Sequence, residues 1–404
     1  MISITKFLIG TDNFGDSLRY RHGARATTNG TNVGHGPVVA WNMTRSCNLK
    51  CAHCYMDSDC KKYEGELTHE EGMNFIDDLG KFKVPVLLFS GGEPLIREDF
   101  FELAEHAVKR NIRSTISTNG TLITRKVAER LKSIGVGYVG ISLDGLRETN
   151  DRFRGEKGAF DSAVRGIENC VAVGQRVGLR FTINRHNYRE LQDIFKLIEE
   201  LKIDRACFYH LVYCGRGNQM MQEDLSHEES RRALDLIMEK TLDFHRRGLN
   251  KEILTVDNHA DGIYLYMKLR EKNPERAEEV YRLMKMNGGN RSGIAFANVD
   301  SLGNVHPDQF TQKHTLGNIR EKSFGEIWGN TAHPILAGLK DRKPLLKGRC
   351  SRCKWLDVCN GNFRARAEAV TGDFWEADPA CYLTEEEITG GIKDDYILEY
   401  NQSV

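Results

Sequence analysis

Short apolar runs alternate with amphipathic stretches between about residues 38 and 215. The apolar runs have the length of buried strands, and those that we predict are Val38–Met43, Pro85–Ser90, Arg113–Ser117, Tyr138–Leu143, Val177–Ile183 and Ala206–Val212. The stretches with helical period include Arg97–Arg110, Arg125–Ser133, Ala159–Val173 and Tyr188–Lys202. This alternation predicts an α/β fold with a parallel sheet and helices outside it. Six strand–helix units fit a partial (βα)6 barrel, in which chemistry lies at the carboxyl ends of the strands.

The remainder of the chain has a different pattern. Residues 226–290 are predicted to be mainly helical, with an amphipathic stretch Glu228–Arg247 and a helix Pro274–Met286 that begins with proline. Between these two helices, Asp257–Asp261 fits no helical pattern and is a candidate lining of a substrate cavity. The last hundred residues are richer in turns. We therefore predict four segments, namely 1–37, 38–225, 226–290 and 291–404.

The composition narrows the class of protein. The 404 residues are 40% hydrophobic and 28% charged, which is typical of a soluble globular protein. The formal net charge is zero, so nothing indicates binding to nucleic acid or membranes through a strong electrostatic field. The amino terminus is too short and polar for a secretory signal, and we expect a cytoplasmic protein. In that compartment eleven cysteines indicate metal or redox chemistry rather than disulfides.

Three cysteines follow the first predicted strand, with the spacing Cys-x-x-x-Cys-x-x-Cys. They are Cys47, Cys51 and Cys54. Three thiolates on one loop can hold three irons of a [4Fe–4S] cube, which leaves the fourth iron open for a ligand. The same loop could instead supply half of a zinc site.

A glycine motif follows the second predicted strand. The apolar run ends in Gly91-Gly-Glu93, where glycines let the backbone approach a ligand closely and Glu93 could accept hydrogen bonds from an ammonium group. A plain turn before a helix is the simpler alternative. Both motifs fall on the carboxyl edge of the predicted sheet, and this combination disfavours the zinc interpretation.

The two motifs together resemble those of the radical S-adenosylmethionine (SAM) superfamily. The resemblance implies that the open iron chelates SAM and that an electron from the cluster cleaves SAM to a 5′-deoxyadenosyl radical. It makes Cys47, Cys51 and Cys54 the catalytic cluster ligands. The other SAM contacts that it implies are Gly91, Gly92 and Glu93 for the amino group, Ser117, Asn119, Ser142 and Asn184 for the ribose and carboxylate, Arg154 for the carboxylate and His53 for the adenine.

A second cysteine group occupies the last predicted segment. Its members are Cys350, Cys353, Cys359 and Cys381, and their spacing alone suits either zinc or a second [4Fe–4S] cluster. The group resembles the SPASM extension of radical SAM enzymes, which carries auxiliary iron–sulfur clusters. A full SPASM domain holds two such clusters, but here two expected cysteine positions carry Asp308 and Phe363. We therefore expect one auxiliary cluster, two [4Fe–4S] clusters in all and about eight irons per chain.

Further segments resemble radical SAM enzymes that modify siroheme-derived tetrapyrroles. The resemblance lies in Ser17–Arg25, Pro37–Asn42, His210–Asn218, Cys359–Asn362 and Asp378–Tyr382. It implies the removal of acetate side chains from 12,18-didecarboxysiroheme to give Fe-coproporphyrin III in an alternative haem route. Removal of propionate side chains in haem d1 synthesis is the alternative. It also implies an external electron donor such as a flavodoxin or ferredoxin.

A flat macrocycle ringed by carboxylates needs guanidinium groups, because arginine binds carboxylates with two bonds. The candidates for substrate binding are Arg19, Arg21, Arg25, Arg216, His22, His210 and His259. A peptide or sulfatase maturase of the SPASM type is a competing interpretation, but it normally has a peptide-binding module and both auxiliary clusters. An iron–sulfur electron carrier or zinc-stabilised scaffold would leave Gly91-Gly-Glu93 unexplained.

Overall fold

Eleven strands form one continuous sheet in the part of the chain that the structure describes. The structure is a computed structural model, and it describes residues 1–20, 29–31, 33–330 and 332–390. The strands are β1 (Ile2–Ser3), β2 (Val38–Asn42), β3 (Val86–Ser90), β4 (Arg113–Thr118), β5 (Tyr138–Ser142), β6 (Val177–Ile183), β7 (Arg205–His210), β8 (Glu252–Val256), β9 (Phe296–Val299), β10 (Asn304–His306) and β11 (Gly317–Asn318). Their order across the sheet is β1-β8-β7-β6-β5-β4-β3-β2-β9-β10-β11.

Neighbouring strands from β2 to β8 are parallel. At one edge β1 pairs antiparallel with β8. At the other, β9 pairs parallel with β2, and β10 and β11 continue as an antiparallel meander. The carboxyl-terminal third of the chain therefore extends the same sheet. Because the parallel strands point the same way, the loops that follow them gather at one edge.

The helices connect and flank the strands. They are α1 (Ile4–Ile9), α2 (Asp16–Arg19), α3 (His69–Lys81), α4 (Phe100–Lys109), α5 (Arg125–Ser133), α6 (Arg147–Arg154), α7 (Ala159–Ala172), α8 (Leu191–Glu200), α9 (His227–Arg246), α10 (Ala260–Lys272), α11 (Pro274–Asn287), α12 (Phe324–Gly329), α13 (Pro334–Lys340), α14 (Leu356–Cys359), α15 (Arg364–Thr371) and α16 (Glu385–Thr389). None of the helices in the described residues is long and apolar enough to span a membrane.

Helix α8 illustrates how the sequence builds this layer. Its buried residues Leu191, Ile194, Phe195 and Ile198 recur at the spacing of one helical face. Phe195 stacks on Phe208 of β7, with ring centroids 5.2 Å apart. Burying a side chain of this size contributes about 1.5–3 kcal/mol. Repeated around the sheet, such contacts make the outer helices a shell that holds the strands in register.

The predicted α/β barrel core is confirmed, with six predicted strands matched by β2 to β7 to within two residues at either end. The prediction of a mainly helical segment over 226–290 missed β8, whose five residues are all buried. A five-residue apolar run between two strong helices gives too little periodicity to identify a strand. The expectation that Asp257–Asp261 avoids helix was also wrong at its end, because α10 begins at Ala260.

Candidate active site

The cysteine loop follows β2 and is held by the loop after β3. The backbone N–H groups of Gly92 and Glu93 donate to the carbonyls of Thr44 (2.7 Å) and Ser46 (2.9 Å). A Cβ atom on Gly92 would lie 2.1 Å from the carbonyl oxygen of Ser46. The glycine motif is therefore required for the two loops to pack backbone against backbone.

Two further segments fasten the same loop. At the end of α6, the carbonyls of Arg154 and Phe153 accept hydrogen bonds from Lys50 and Ala52. After β7, Arg216 donates from its side chain to the carbonyls of Cys51 (2.8 Å) and Ser58 (2.9 Å). The expectation that Arg216 binds substrate is therefore corrected, since its guanidinium is engaged by the backbone of the cysteine loop.

Glu93 is fully buried and joins two strand ends. Its carboxylate accepts hydrogen bonds from the Thr118 hydroxyl (2.8 Å) and from the N–H groups of Asn119 (2.8 Å) and Leu95 (3.2 Å). Burial raises the pKa of Glu93 to about 7, although these hydrogen bonds act in the opposite direction. Its side chain does not line the cavity described below. The contact between Glu93 and an ammonium group stays a prediction, and the backbone at Gly91 and Gly92 faces the cavity.

Polar groups surround the thiols of the cysteine loop. Arg154 pairs with the buried carboxylate of Asp144 and points Nη1 at Sγ of Cys51, 3.5 Å away. The N–H of Leu49 lies 3.4 Å from Sγ of Cys47, and Nδ2 of Asn119 lies 3.9 Å from the same sulfur. Donors to cysteine sulfur stabilise negative charge on a cluster and tune its potential.

The loop and the carboxyl ends of the strands enclose a cavity with about 970 Å³ of atom-free space, part of it open to solvent. The predicted site residues that line it are Cys47, Cys51, Cys54, His53, Gly91, Gly92, Ser117, Asn119, Ser142, Arg154 and His210. Gln309 and Phe310 line the cavity from the loop after β10, so the carboxyl-terminal third also contributes to the site.

His53 sits between the loop and α6. Its Nε2 lies 3.3 Å from Oδ2 of Asp144, and its ring centroid lies 5.2 Å from that of Phe153. Burial lowers the pKa of His53 to about 4 despite the nearby carboxylate, so the imidazole is neutral near pH 7. Its Nδ1 is buried without a hydrogen-bond partner among the described residues. A neutral ring with a free nitrogen suits contact with an uncharged aromatic base.

The second cysteine group gathers around α14. Cys350 and Cys353 flank one turn, Cys359 ends α14, and Cys381 precedes α16. Burial, and then proximity to each of the other three thiols, raises the pKa of Cys359. The four thiols therefore influence one another electrostatically, and they remain the predicted ligands of the auxiliary site.

Two buried arginines pack beside this group. Arg342 and Arg364 bind the carbonyls of Asn360 and Gly361, in the turn directly after Cys359. Neither guanidinium has a carboxylate partner among the described residues. The charge of both would complement an anionic cluster.

The two positions where a further auxiliary cluster would need cysteines have other roles. The carboxylate of Asp308 accepts hydrogen bonds from Phe310 and Thr311 of its own loop. The ring of Phe363 packs on Phe310, with centroids 5.4 Å apart, and against Val212. In the described structure Asp308 therefore stabilises a turn and Phe363 packs against other apolar side chains.

Comparison with known protein families explains this arrangement. Residues 41–198 match the model of the radical SAM superfamily, and residues 293–354 match that of an iron–sulfur cluster-binding domain, SPASM. The chain is 57% identical over 394 residues to the Fe-coproporphyrin III synthase of Methanosarcina barkeri, covering 96% of this chain and 99% of that protein.

The chain belongs to the radical SAM superfamily. It is also 44% identical to the pre-heme d1 synthase of Dinoroseobacter shibae, with 89% of each chain covered. Among solved structures it resembles Streptococcus suis SuiB bound to S-adenosylmethionine (TM-score 0.69, 18% identity, 87% of this chain and 78% of that chain). It also resembles anSMEcpe with bound AdoMet (TM-score 0.66, 22% identity, 85% and 94%). These two likenesses establish the fold.

Membership in this superfamily, with a SPASM domain, implies [4Fe–4S] clusters and SAM as cofactors. The residues present fit both groups. The thiols of the cysteine loop face a cavity lined by polar strand ends, and donors already point at their sulfurs. No three His, Cys, Asp or Glu side chains among the described residues converge closely enough to share one metal ion. A cube needs no such convergence, because each cysteine binds a different iron.

Several predicted site residues lie elsewhere. Asn184 is buried and shapes its own turn, with its side chain donating to Thr182 and accepting from His186. Arg19 pairs with Asp16 and with Glu252, the first residue of β8, so it lies at the amino end of the barrel, opposite the cavity. His259 directly precedes α10 and does not line the cavity. Arg21, His22 and Arg25 lie outside the described residues.

Sequence reasoning also missed several residues that line the cavity, among them Tyr55, Arg180, Tyr209 and Phe310. Tyr55 directly follows Cys54, and its hydroxyl donates to Asn42 (3.0 Å). The signal for Arg180 is its position as a lone cation in an otherwise apolar strand, β6. Without the fold, neither the position of Tyr55 nor that of Arg180 in the sequence identifies a residue of the cavity.

Proposed function

We propose that this radical SAM enzyme acts in haem biosynthesis and removes the acetate side chains of 12,18-didecarboxysiroheme to give Fe-coproporphyrin III. The observation that carries the proposal is the 57% identity to a protein named Fe-coproporphyrin III synthase, over nearly the full length of both chains. The cavity supports it through its cationic lining, because Arg154 and Arg180 face it and the proposed substrate carries several carboxylates.

In this proposal Cys47, Cys51 and Cys54 hold the catalytic cluster, which together with SAM supplies a carbon radical that abstracts hydrogen. Gly91 and Gly92 present backbone to the methionine part of SAM. Arg154, fixed by Asp144, lies beside Cys51 and can bind the SAM carboxylate with two bonds. The same cavity is lined by Ser117, Asn119 and Ser142, which would contact the ribose. It is also lined by His53, which would contact the adenine.

His210 faces the cavity from the end of β7. Burial alone would lower the pKa of His210, but the charge and hydrogen bond of Asp261 outweigh burial and raise it. We propose that His210 gives a proton to the departing side chain, which leaves as acetate after also taking up one electron from the proposed external donor. A cation at this position also suits a substrate that carries several carboxylates.

We further propose that Cys350, Cys353, Cys359 and Cys381 hold one auxiliary [4Fe–4S] cluster with an electron-transfer or structural role. Four cysteine ligands leave no iron open for substrate. A flavodoxin or ferredoxin is the proposed electron donor. All eleven cysteines are free, which supports a reducing, cytoplasmic setting.

The test is an anaerobic assay with cluster-loaded protein, SAM, dithionite and 12,18-didecarboxysiroheme, with the tetrapyrroles followed by mass. The expected result is loss of two acetate units together with formation of 5′-deoxyadenosine. Cleavage of SAM with an unchanged macrocycle would remove the substrate assignment and leave the superfamily assignment intact.

Haem d1 synthesis is the second candidate, because the chain is 44% identical to a protein named pre-heme d1 synthase. In that case the same assay yields loss of propionate units instead. The lower identity and shorter coverage make acetate removal the favoured outcome.

A further inference from the structure

Arg180 presents a guanidinium group to the cavity and forms no ion pair among the described residues. It lies on β6, where the residues at 180 and 182 line the cavity and Leu179 and Phe181 are fully buried on the other face. Within the described residues its side chain forms no hydrogen bond, and no carboxylate oxygen lies within 4.0 Å of it. By contrast, Arg154 in the same cavity is paired with Asp144.

The surroundings hold Arg180 in place without neutralising it. Its guanidinium carbon lies 4.6 Å from the centre of the Tyr209 ring, which is a cation–π contact. The neighbouring groups that act on its charge are the phenols of Tyr209, Tyr138 and Tyr55 and the thiol of Cys207. The carboxyl of Asp257, which lines the same cavity, is near enough to be influenced by that charge without forming an ion pair. Burial raises the pKa of each of these tyrosines, so all three are neutral near pH 7.

The neighbouring strand leaves room for this side chain. A Cβ atom on Gly140 of β5 would lie 2.8 Å from Cδ of Arg180. Glycine at this position therefore leaves the space that the aliphatic part of the Arg180 side chain occupies. A partly buried cation with no carboxylate in contact is costly, and an anionic ligand that contacts it removes that cost.

We infer that Arg180 is a carboxylate-binding residue of the cavity, and that its ligand is a carboxylate of the tetrapyrrole. The second statement rests on the proposed function. The SAM carboxylate is the other source of the same chemistry, but Arg154 already lies beside Cys51, where SAM chelates the cluster. Arg180 instead rests on Tyr209, at the carboxyl end of β7 beside His210.

The test measures the affinities of cluster-loaded wild type and Arg180→Gln for two ligands separately, without reductant. Binding of 12,18-didecarboxysiroheme is followed by absorbance, and binding of SAM by calorimetry. A lost hydrogen-bonded charge contact corresponds to about a ten- to hundredfold weaker macrocycle affinity, with SAM affinity unchanged. Weaker SAM binding alone would assign the carboxylate to SAM and overturn the tetrapyrrole assignment. Unchanged affinity for both ligands would overturn the inference as a whole.

Two further variants separate charge from folding. Arg180→Lys keeps the cation but not the planar fork, so it should bind the macrocycle with intermediate affinity. Gly140→Ala displaces the arginine stem without removing it and should weaken binding as Arg180→Gln does. Arg176→Gln is the matched control, because Arg176 lies just before the amino end of β6, exposed, beside the ring of Phe14.

A methyl ester of the macrocycle gives an independent readout. Without carboxylates it should bind wild type and Arg180→Gln equally, and a difference that persists with the ester would contradict a charge contact. If wild type itself fails to bind the macrocycle, the proposed function and the tetrapyrrole assignment fail together. Binding by wild type that Arg180→Gln leaves unchanged would refute only the inference.

Discussion

Nε2 of His210 lies 2.9 Å from Oδ2 of Asp261, in an ion pair buried at the wall of the cavity. The other oxygen of Asp261 accepts a hydrogen bond from the Tyr382 hydroxyl across 2.6 Å. Tyr382 directly follows Cys381, a proposed ligand of the auxiliary cluster. Two hydrogen bonds therefore connect the cavity wall to the residue that follows a proposed ligand of the auxiliary cluster.

Replacing Asp261 by Asn should lower the pKa of His210, because the charge that offsets burial is lost. If His210 donates a proton, activity falls as pH rises through its pKa, and this fall should move to lower pH in the variant. The pH dependence of tetrapyrrole formation checks this. Asp235→Asn, which removes an exposed carboxylate near Tyr264, should leave the profile unchanged. Superimposable profiles for wild type and Asp261→Asn would exclude His210 as the donor.

Alanine at Cys47, Cys51 or Cys54 should abolish the formation of 5′-deoxyadenosine and reduce bound iron from about eight to about four per chain. The reason is that each of these thiols would hold a separate iron of the catalytic cluster. Iron quantitation and chromatography of the nucleoside measure both effects. Cys60→Ala is the control, since this thiol is exposed and close in sequence. Normal nucleoside output from any of the three loop variants would refute the ligand assignment.

Arg342→Met should make the potential of the auxiliary cluster more negative, because a buried cation beside Cys359 favours the reduced, more anionic state. Arg342 is 1% exposed, and its hydrogen bonds go to neutral oxygens of Leu339, Asn290 and Ser292. A redox titration followed by EPR gives the potential. Arg352→Gln removes an exposed cation from the turn between Cys350 and Cys353 and should change the potential far less. Equal potentials in wild type and Arg342→Met would contradict the electrostatic role.

The free energy of unfolding of the cluster-free protein should fall as the pH rises from about 4.5 to 7, because Glu93 is buried. Its pKa is raised to about 7 by burial, so over this range the folded protein holds a proton that the unfolded chain has lost. At about 1.4 kcal/mol per pKa unit the effect is on the order of 3 kcal/mol. Urea unfolding at several pH values should show this slope in wild type and not in Glu93→Gln. Glu102→Gln, on the exposed face of α4, should retain it.

Features encoded by short spacing could be predicted from the sequence. The cysteine loop, the glycines at 91 and 92, and the strands that precede them are each defined within about ten residues. The same holds for Ser117, Asn119 and Ser142, which reach the cavity because each follows or ends a parallel strand.

Arginine roles could not be predicted, because their partners are distant in sequence. Arg19 meets Glu252, which is 233 residues away, and Arg216 meets Ser58, 158 residues away. Arg180 is the opposite case, because the sequence analysis did not select it although it lines the cavity. Its position is set by Tyr209 and Gly140 of the two adjoining strands. Composition alone cannot tell a paired guanidinium from an unpaired one.

The contacts that hold the cysteine loop have a consequence for the order of folding and cluster acquisition. They come from Gly92 and Glu93, from the end of α6, and from Arg216, so the last of them is synthesised about 160 residues after Cys54. A nascent chain that has not yet reached Arg216 carries all three thiols but lacks the contacts that close their loop. Stable acquisition of the catalytic cluster is therefore expected only after the barrel has assembled through β7.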